Sequence, residues 1–96
     1  MARVVLGPAL ARWLDGGSAA AGERAIEVDA ATIADALARV FDAHPALRGY
    51  VVDEHGAIRH HLALFVDGTA LRDKRALDRA IAPHAEVWVM QALSGG

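Results

Sequence analysis

The segment Glu86–Gly96, EVWVMQALSGG, decides how the rest of the chain is read. From Glu86 to Ala92 it is a run of β-branched and aromatic residues, predicted as a core strand. Val87 and Val89 fall on one side of an extended backbone and Trp88 and Met90 on the other. Leu93, Ser94, Gly95 and Gly96 then follow with nothing to pack, so a flexible tail is expected. Glycine is the residue with the most backbone freedom. A core strand that passes directly into two glycines suggests that the final carboxylate is the working part.

The pattern outward from this segment supplies partners for the strand. His61–Gly68, HLALFVDG, reads as a second strand closed by Asp67-Gly68. Leu62, Leu64 and Val66 form its aliphatic side, and Phe65 lies on the other. Arg3–Gly7 is a short strand ending before Pro8, and Pro8–Leu14 is predicted as a single helical turn. Asp15–Arg24, rich in Gly and Ala, reads as a loop. Arg24–Asp29 alternates as a half-buried strand, with Ile26 and Val28 on one face.

One helix stands out. Thr32, with Asp35 three residues on, forms a capping box. Ile33, Ala36, Leu37, Val40 and Phe41 recur at helical spacing, and Pro45 ends the helix after His44. Tyr50–Ile58 reads as a short extended piece with a turn at Glu54–Gly56. Leu77 and Ile81, one helical turn apart, suggest a short helical turn before the last strand. The result is an α+β domain in which one main helix covers one face of a mixed sheet. Phe65, Trp88 and Met90 then share the uncovered face as an apolar patch, the expected partner-binding surface.

Composition narrows the function. The chain has 96 residues, 54% hydrophobic and 23% charged, which fits one domain with a core. The formal net charge is −2 and no basic run exceeds Lys74-Arg75, so neither nucleic acid nor an anionic membrane is an expected partner. There is no cysteine, hence no disulfide, thiolate metal site or cysteine nucleophile. No secretory leader and no apolar run long enough to span a bilayer is read, and a cytoplasmic protein is expected. His60 and His61 are adjacent on the expected strand and point to opposite faces, so they cannot chelate together, and no metal site is expected. Ser18 and Ser94 lack a nucleophile-elbow setting and no phosphate-binding loop of the Walker type occurs.

With these elements in place, FVDG closing a strand, the Leu71-Arg72-Asp73 turn and the ending AEVWVMQALSGG resemble the ThiS/MoaD family of ubiquitin-like sulfur carriers. The likeness extends over nearly the whole chain, including HPALRGY and IRHHLALFVDG, which look closest to the molybdopterin synthase small subunit and to carriers serving cysteine synthesis. It implies a β-grasp fold, with residues 1–92 as the domain and 93–96 as the tail. Departures are Pro83-His84-Ala85-Glu86-Val87 in place of an acidic turn, Asp67 where Asn is familiar, and Ser94 before the glycines.

The resemblance also implies a chemistry. An ionised carboxylate is a poor electrophile and must be activated; an ATP-using, ubiquitin-activating-type adenylating enzyme does this in the family, and sulfur then displaces AMP. Gly96 would bear the thiocarboxylate and Gly95 would give steric access. Leu93 and Ser94 would dock the tail, whose four residues reach roughly 13 Å when extended. Phe65, Trp88 and Met90 would be held by the partner, Met90 standing where the family has an apolar partner-facing residue. The chain itself would be no enzyme and would bind no cofactor. Its sulfur would pass to a biosynthetic enzyme making molybdopterin, cysteine, thiamine or a specialised metabolite. The alternatives are a protein modifier joined through Gly96 to target lysines, or a non-reactive interaction module. Lys74 is the single lysine, which argues against chains of copies.

Overall fold

A computed structural model of the chain describes residues 1–14 and 22–92. In chain order the elements are β1 (Ala2–Leu6), α1 (Pro8–Ala11), β2 (Arg24–Val28), α2 (Ile33–Ala43), a 3-10 turn (Pro45–Leu47), α3 (Arg48–Val51), β3 (Leu62–Val66), β4 (Thr69–Ala70) and β5 (Glu86–Gln91). The strands form one mixed sheet in the order β2-β1-β5-β3-β4. β1 runs antiparallel to β2 and parallel to β5, and β5 pairs antiparallel with β3. The first and last strands therefore lie side by side at the centre, and α2 lies across one face. This is the β-grasp arrangement that the resemblance implied.

The core lies between sheet and helix. Val4 and Leu6 of β1, Leu62 and Leu64 of β3, and Val87 and Val89 of β5 are buried against Ile33, Ala36, Leu37, Val40 and Phe41 of α2. The alternation read in β3 and β5 is the alternation found. Burying each such side chain contributes about 1.5–3 kcal/mol of transfer free energy, so this face dominates the stability of the domain.

Helix α2 starts where its sequence says it should. The Thr32 hydroxyl oxygen accepts the Asp35 N–H at 3.0 Å. Two further donors of the first turn are met from afar: Ile33 N–H bonds the Arg79 carbonyl at 3.1 Å and Ala34 N–H that of Leu77 at 2.7 Å. This explains one departure from expectation. The stretch around Leu77 and Ile81 forms no helix; its carbonyls cap α2 instead, and Leu71 and Leu77 plug the core. A second departure is at Tyr50 and Val51, expected extended but found in α3. Pro45 ends α2 yet opens the 3-10 turn, a position that suits proline. Leu47 and Val51, one turn apart, are then both buried. The turn at Glu54–Gly56 is present, closed by a bridge between Val52 and Ile58.

Candidate functional site

The sheet places the three predicted patch residues together. Phe65 and Trp88 are direct cross-strand partners, as are Ala63 and Met90, all on the face away from α2. Val5 of β1 stands directly opposite Trp88 on the other side. Such neighbours lie within side-chain reach. Phe65, Trp88 and Met90 are half-buried, so the face is partly self-covered and less bare than expected. Val5 is only 2% exposed. Its absence from the sequence-predicted patch follows from reading β1 without knowing it is central in the sheet.

Across this face the residues are layered. One row is charged: Arg3 of β1 lies between Glu27 of β2 and Glu86 of β5. The next is apolar, running Ala25, Val5, Trp88, Phe65 and Ala70. Met90 and Ala63 form the row nearest the end of β5. The Trp88 indole N–H donates to Glu86 Oε1 at 2.5 Å, fixing the ring while leaving its apolar body available. A shallow hollow of about 380 Å³ is lined by Phe65, Gly68, Glu86, Trp88 and Met90. A second, of about 450 Å³, continues past Met90 to Gly7, Glu23 and Gln91.

Two glycines shape this surface. Gly7 N–H bonds the Val89 carbonyl at 2.8 Å, bringing the end of β1 against β5. A Cβ on Gly7 would meet Met90 Cβ at 3.1 Å, closer than ordinary contact, so any side chain there would press on Met90. Gly68, with φ +85°, and Asp67, with φ 49°, form the two-residue hairpin loop joining β3 to β4. Left-handed backbone at both positions matches the twist of paired strands, and Asp tolerates it better than most residues. Asp67 also ties this turn to β5: its N–H bonds the Glu86 carbonyl and its Oδ1 accepts the Glu86 N–H, both at 2.9 Å. Asp67 thus serves as a cap that joins the β3–β4 turn to the start of β5.

At the far end of β5, Ala92 N–H donates to the His61 carbonyl at 2.8 Å. That bond is the last that the described residues make before the C-terminal end. Leu93, Ser94, Gly95 and Gly96, the tail positions named from the sequence, lie outside the described residues. His60 and His61 sit in the turn entering β3 and not on the strand; their rings meet edge-on with centroids 6.0 Å apart. Among the described residues no group of three or more His, Asp or Glu is placed to hold a metal, and no helix is long and apolar enough to cross a membrane. Lys74 is half-buried and its ammonium donates to the His60 carbonyl at 2.8 Å. Asp53 holds the Glu54–Gly56 turn; hydrogen bonds from the Ala57 and His55 N–H groups set its carboxyl below the ordinary value of 3.8.

No family model matches the chain. A curated relative does: small archaeal modifier protein 1 of Haloferax volcanii is 35% identical over 79 residues, covering 79% of this chain and 86% of the relative. The crystal structure of that modifier superposes with a TM-score of 0.70 at 28% identity, over 99% of this chain and 98% of the other. Mycobacterium tuberculosis CysO matches with a TM-score of 0.72 at 17% identity, over 94% of this chain and 99% of that one. The Amycolatopsis orientalis BexX/CysO complex matches with a TM-score of 0.71 at 18% identity, over 97% and 99% respectively. The last two are too distant in sequence to carry more than the fold. With the strand order, the layered open face and the modifier relative taken together, the chain belongs to the ubiquitin-like ThiS/MoaD family of small β-grasp carriers and modifiers.

Proposed function

We propose that the chain is a sulfur carrier whose C-terminal Gly96 is activated by a ubiquitin-activating-type adenylating enzyme using ATP. The Gly96 carboxylate attacks the α-phosphorus of ATP and releases pyrophosphate, giving an acyl-adenylate. Hydrosulfide released by a sulfide donor then adds to the acyl carbon and AMP departs, leaving a thiocarboxylate with loss of the sulfur-bound proton and no change of oxidation state. A sulfur-accepting biosynthetic enzyme, in molybdopterin, cysteine, thiamine or specialised-metabolite synthesis, takes the sulfur. Residues 1–92 are the body that partners grip and residues 93–96 the arm. Gly95 gives access, Leu93 and Ser94 dock in the partner, and Phe65, Trp88 and Met90 are the grip. The chain is the substrate of these steps and holds no cofactor; ATP belongs to the partner, in the cytoplasm.

The observation that carries this reading is the course of β5. The strand that presents Trp88 and Met90 is tied down up to Ala92 and leads directly into the four-residue end. A protein gripping the open face therefore stands within reach of Gly96. The test is intact mass after incubation with ATP, a sulfide donor and the host's adenylating enzymes. Exchange of one oxygen for one sulfur, on the C-terminal peptide and absent when Gly96 is deleted, is the expected result. No gain with any of them sinks the carrier reading.

A second reading has its own support. The 35% identical relative is called a modifier, and the same adenylate could instead acylate a target lysine through Gly96. Recovery of Gly96 in isopeptide linkage to other proteins would favour it.

A further inference from the structure

The end of the sheet where β5 finishes is bordered by two surfaces. One is the open face already described. The other lies on the far side of Gln91, where Trp13, in the turn after α1, stacks on Tyr50 of α3. Their ring centroids are 4.6 Å apart and their planes 14° from parallel. These rings are 36% and 43% exposed, the most exposed aromatic residues among those described. Together with Leu10, Leu62, His61 and Gln91 they line a hollow of about 160 Å³.

Charge distinguishes the two surfaces. The Arg12 guanidinium carbon lies 5.9 Å from the Trp13 ring centroid. Arg59 Nε donates at 2.8 Å to the carbonyl of Gly49, the residue before Tyr50, which ties a second guanidinium to this segment. Among the described residues no carboxylate lines this hollow. The open face, by contrast, is edged by Glu23, Glu27 and Glu86. Gln91 and Ala9 border both hollows, so a basic surface meets a face whose carboxylates outnumber its one charged-row arginine, Arg3, next to the last described residues.

We infer that the Trp13–Tyr50 surface is a second docking site, taking an acidic protein segment. Such a segment would lay a flat apolar side chain on the outer face of the stacked rings and set its carboxylates against Arg12 and Arg59. Complementary charge of this kind selects partners and speeds encounter, and stacked rings with arginine make a planar platform. Single-stranded nucleic acid fits less well. It needs a track of cations along its phosphates, and here only Arg12 and Arg59 are placed near the pair of rings, on a chain of net charge −2. The inference rests on the carrier reading only for its purpose: a tail served by an activating and then an accepting protein gains from two grips that do not overlap.

The two tryptophans make a direct test, one on each surface. The ¹⁵N-labelled full chain gives two indole N–H signals, assigned by Trp88→Phe. It is titrated with the blocked peptide Glu-Glu-Phe-Glu-Glu and, separately, with Lys-Lys-Phe-Lys-Lys. The acidic peptide should move the Trp13 signal and leave Trp88 nearly still, and the basic peptide should not move Trp13. Arg12→Glu should weaken the acidic peptide about fivefold, and 0.5 M salt, an ionic strength at which surface charges are largely screened, should do likewise. Tyr50→Ala should remove the response. The inference is overturned if neither peptide moves Trp13, if both move it alike, or if Trp88 responds equally to the acidic one. Tighter binding of a thymidine hexanucleotide than of the acidic peptide would also overturn it. The response should persist in the chain lacking Gly96, so a failed sulfur assay with an intact Trp13 response sinks the carrier reading alone.

Discussion

The two faces of the one sheet are built from the same strands and behave differently. Toward α2, Val4, Leu6, Leu64, Val87 and Val89 are sealed by a helix whose apolar side faces them. Away from it, Val5, Phe65, Trp88 and Met90 are neighbours across the strands, and among the described residues no second helix of α2's length lies over them. Trp88 pairs with Val5 across the strands and keeps its own indole N–H satisfied by Glu86. The closed face holds the fold. The open face keeps apolar area half in water, which is stable enough alone and available to a partner.

Mutations should separate these roles. The largest effect is expected from Leu64→Ala on the closed face, which should cost about 2–5 kcal/mol by opening a cavity; urea unfolding would register it, and a loss under about 1 kcal/mol would contradict the packing described. Gly7→Val strikes the seam between β1 and the open face. Its Cβ alone would already crowd Met90 at 3.1 Å, and about 1–3 kcal/mol of overpacking cost is expected, together with shifted Met90 methyl resonances. Phe65→Ala should cost less stability than Leu64→Ala, its neighbour on the opposite face. It should nevertheless reduce sulfur loading by about tenfold, the scale of one interface anchor. An equal stability loss at both positions would erase the distinction between the faces.

The smallest effect lies outside both faces. The Asp53 carboxyl sits below its ordinary value, chiefly through the Ala57 N–H and then the His55 N–H. The unfolded chain therefore binds the proton more readily. The stabilisation is complete above the ordinary value of 3.8 and is lost as pH falls through the lower folded value. Asp53→Ala should flatten the acid limb of a stability–pH curve below about pH 4, measured by urea midpoints at pH 3 and pH 6. An unchanged slope would mean that the turn does not need the charged carboxylate.

What the sequence reveals of this molecule follows from which interactions are local. The α2 boundaries were readable because Thr32, Asp35 and Pro45 act within a few residues of themselves. The core sides of β3 and β5 were readable from alternation, because burial there follows the period of the strand. Non-local effects were hidden. β4 is two residues long and shows no period. The carbonyls of Leu77 and Arg79 are claimed by α2, which no spacing within 71–83 can announce. At the open face, Phe65, Trp88 and Met90 were legible from their parity in the strands, whereas Val5 and Gly7 required the pairing of the first strand with the last. The Trp13–Tyr50 stack joins segments 37 positions apart and leaves no trace in either.

The parallel pairing of β1 with β5 has a mechanical consequence. From Arg3–Glu86 to Leu6–Val89 the two strands run side by side in the same direction, and β3 flanks β5 on its other edge. A force applied to the C-terminal end draws β5 along its own axis, between two neighbours whose hydrogen bonds lie across the line of pull. Those bonds are loaded together in shear and cannot be peeled one after another. A pull on the last residues is therefore resisted by the whole ladder at once and does not unravel the body behind.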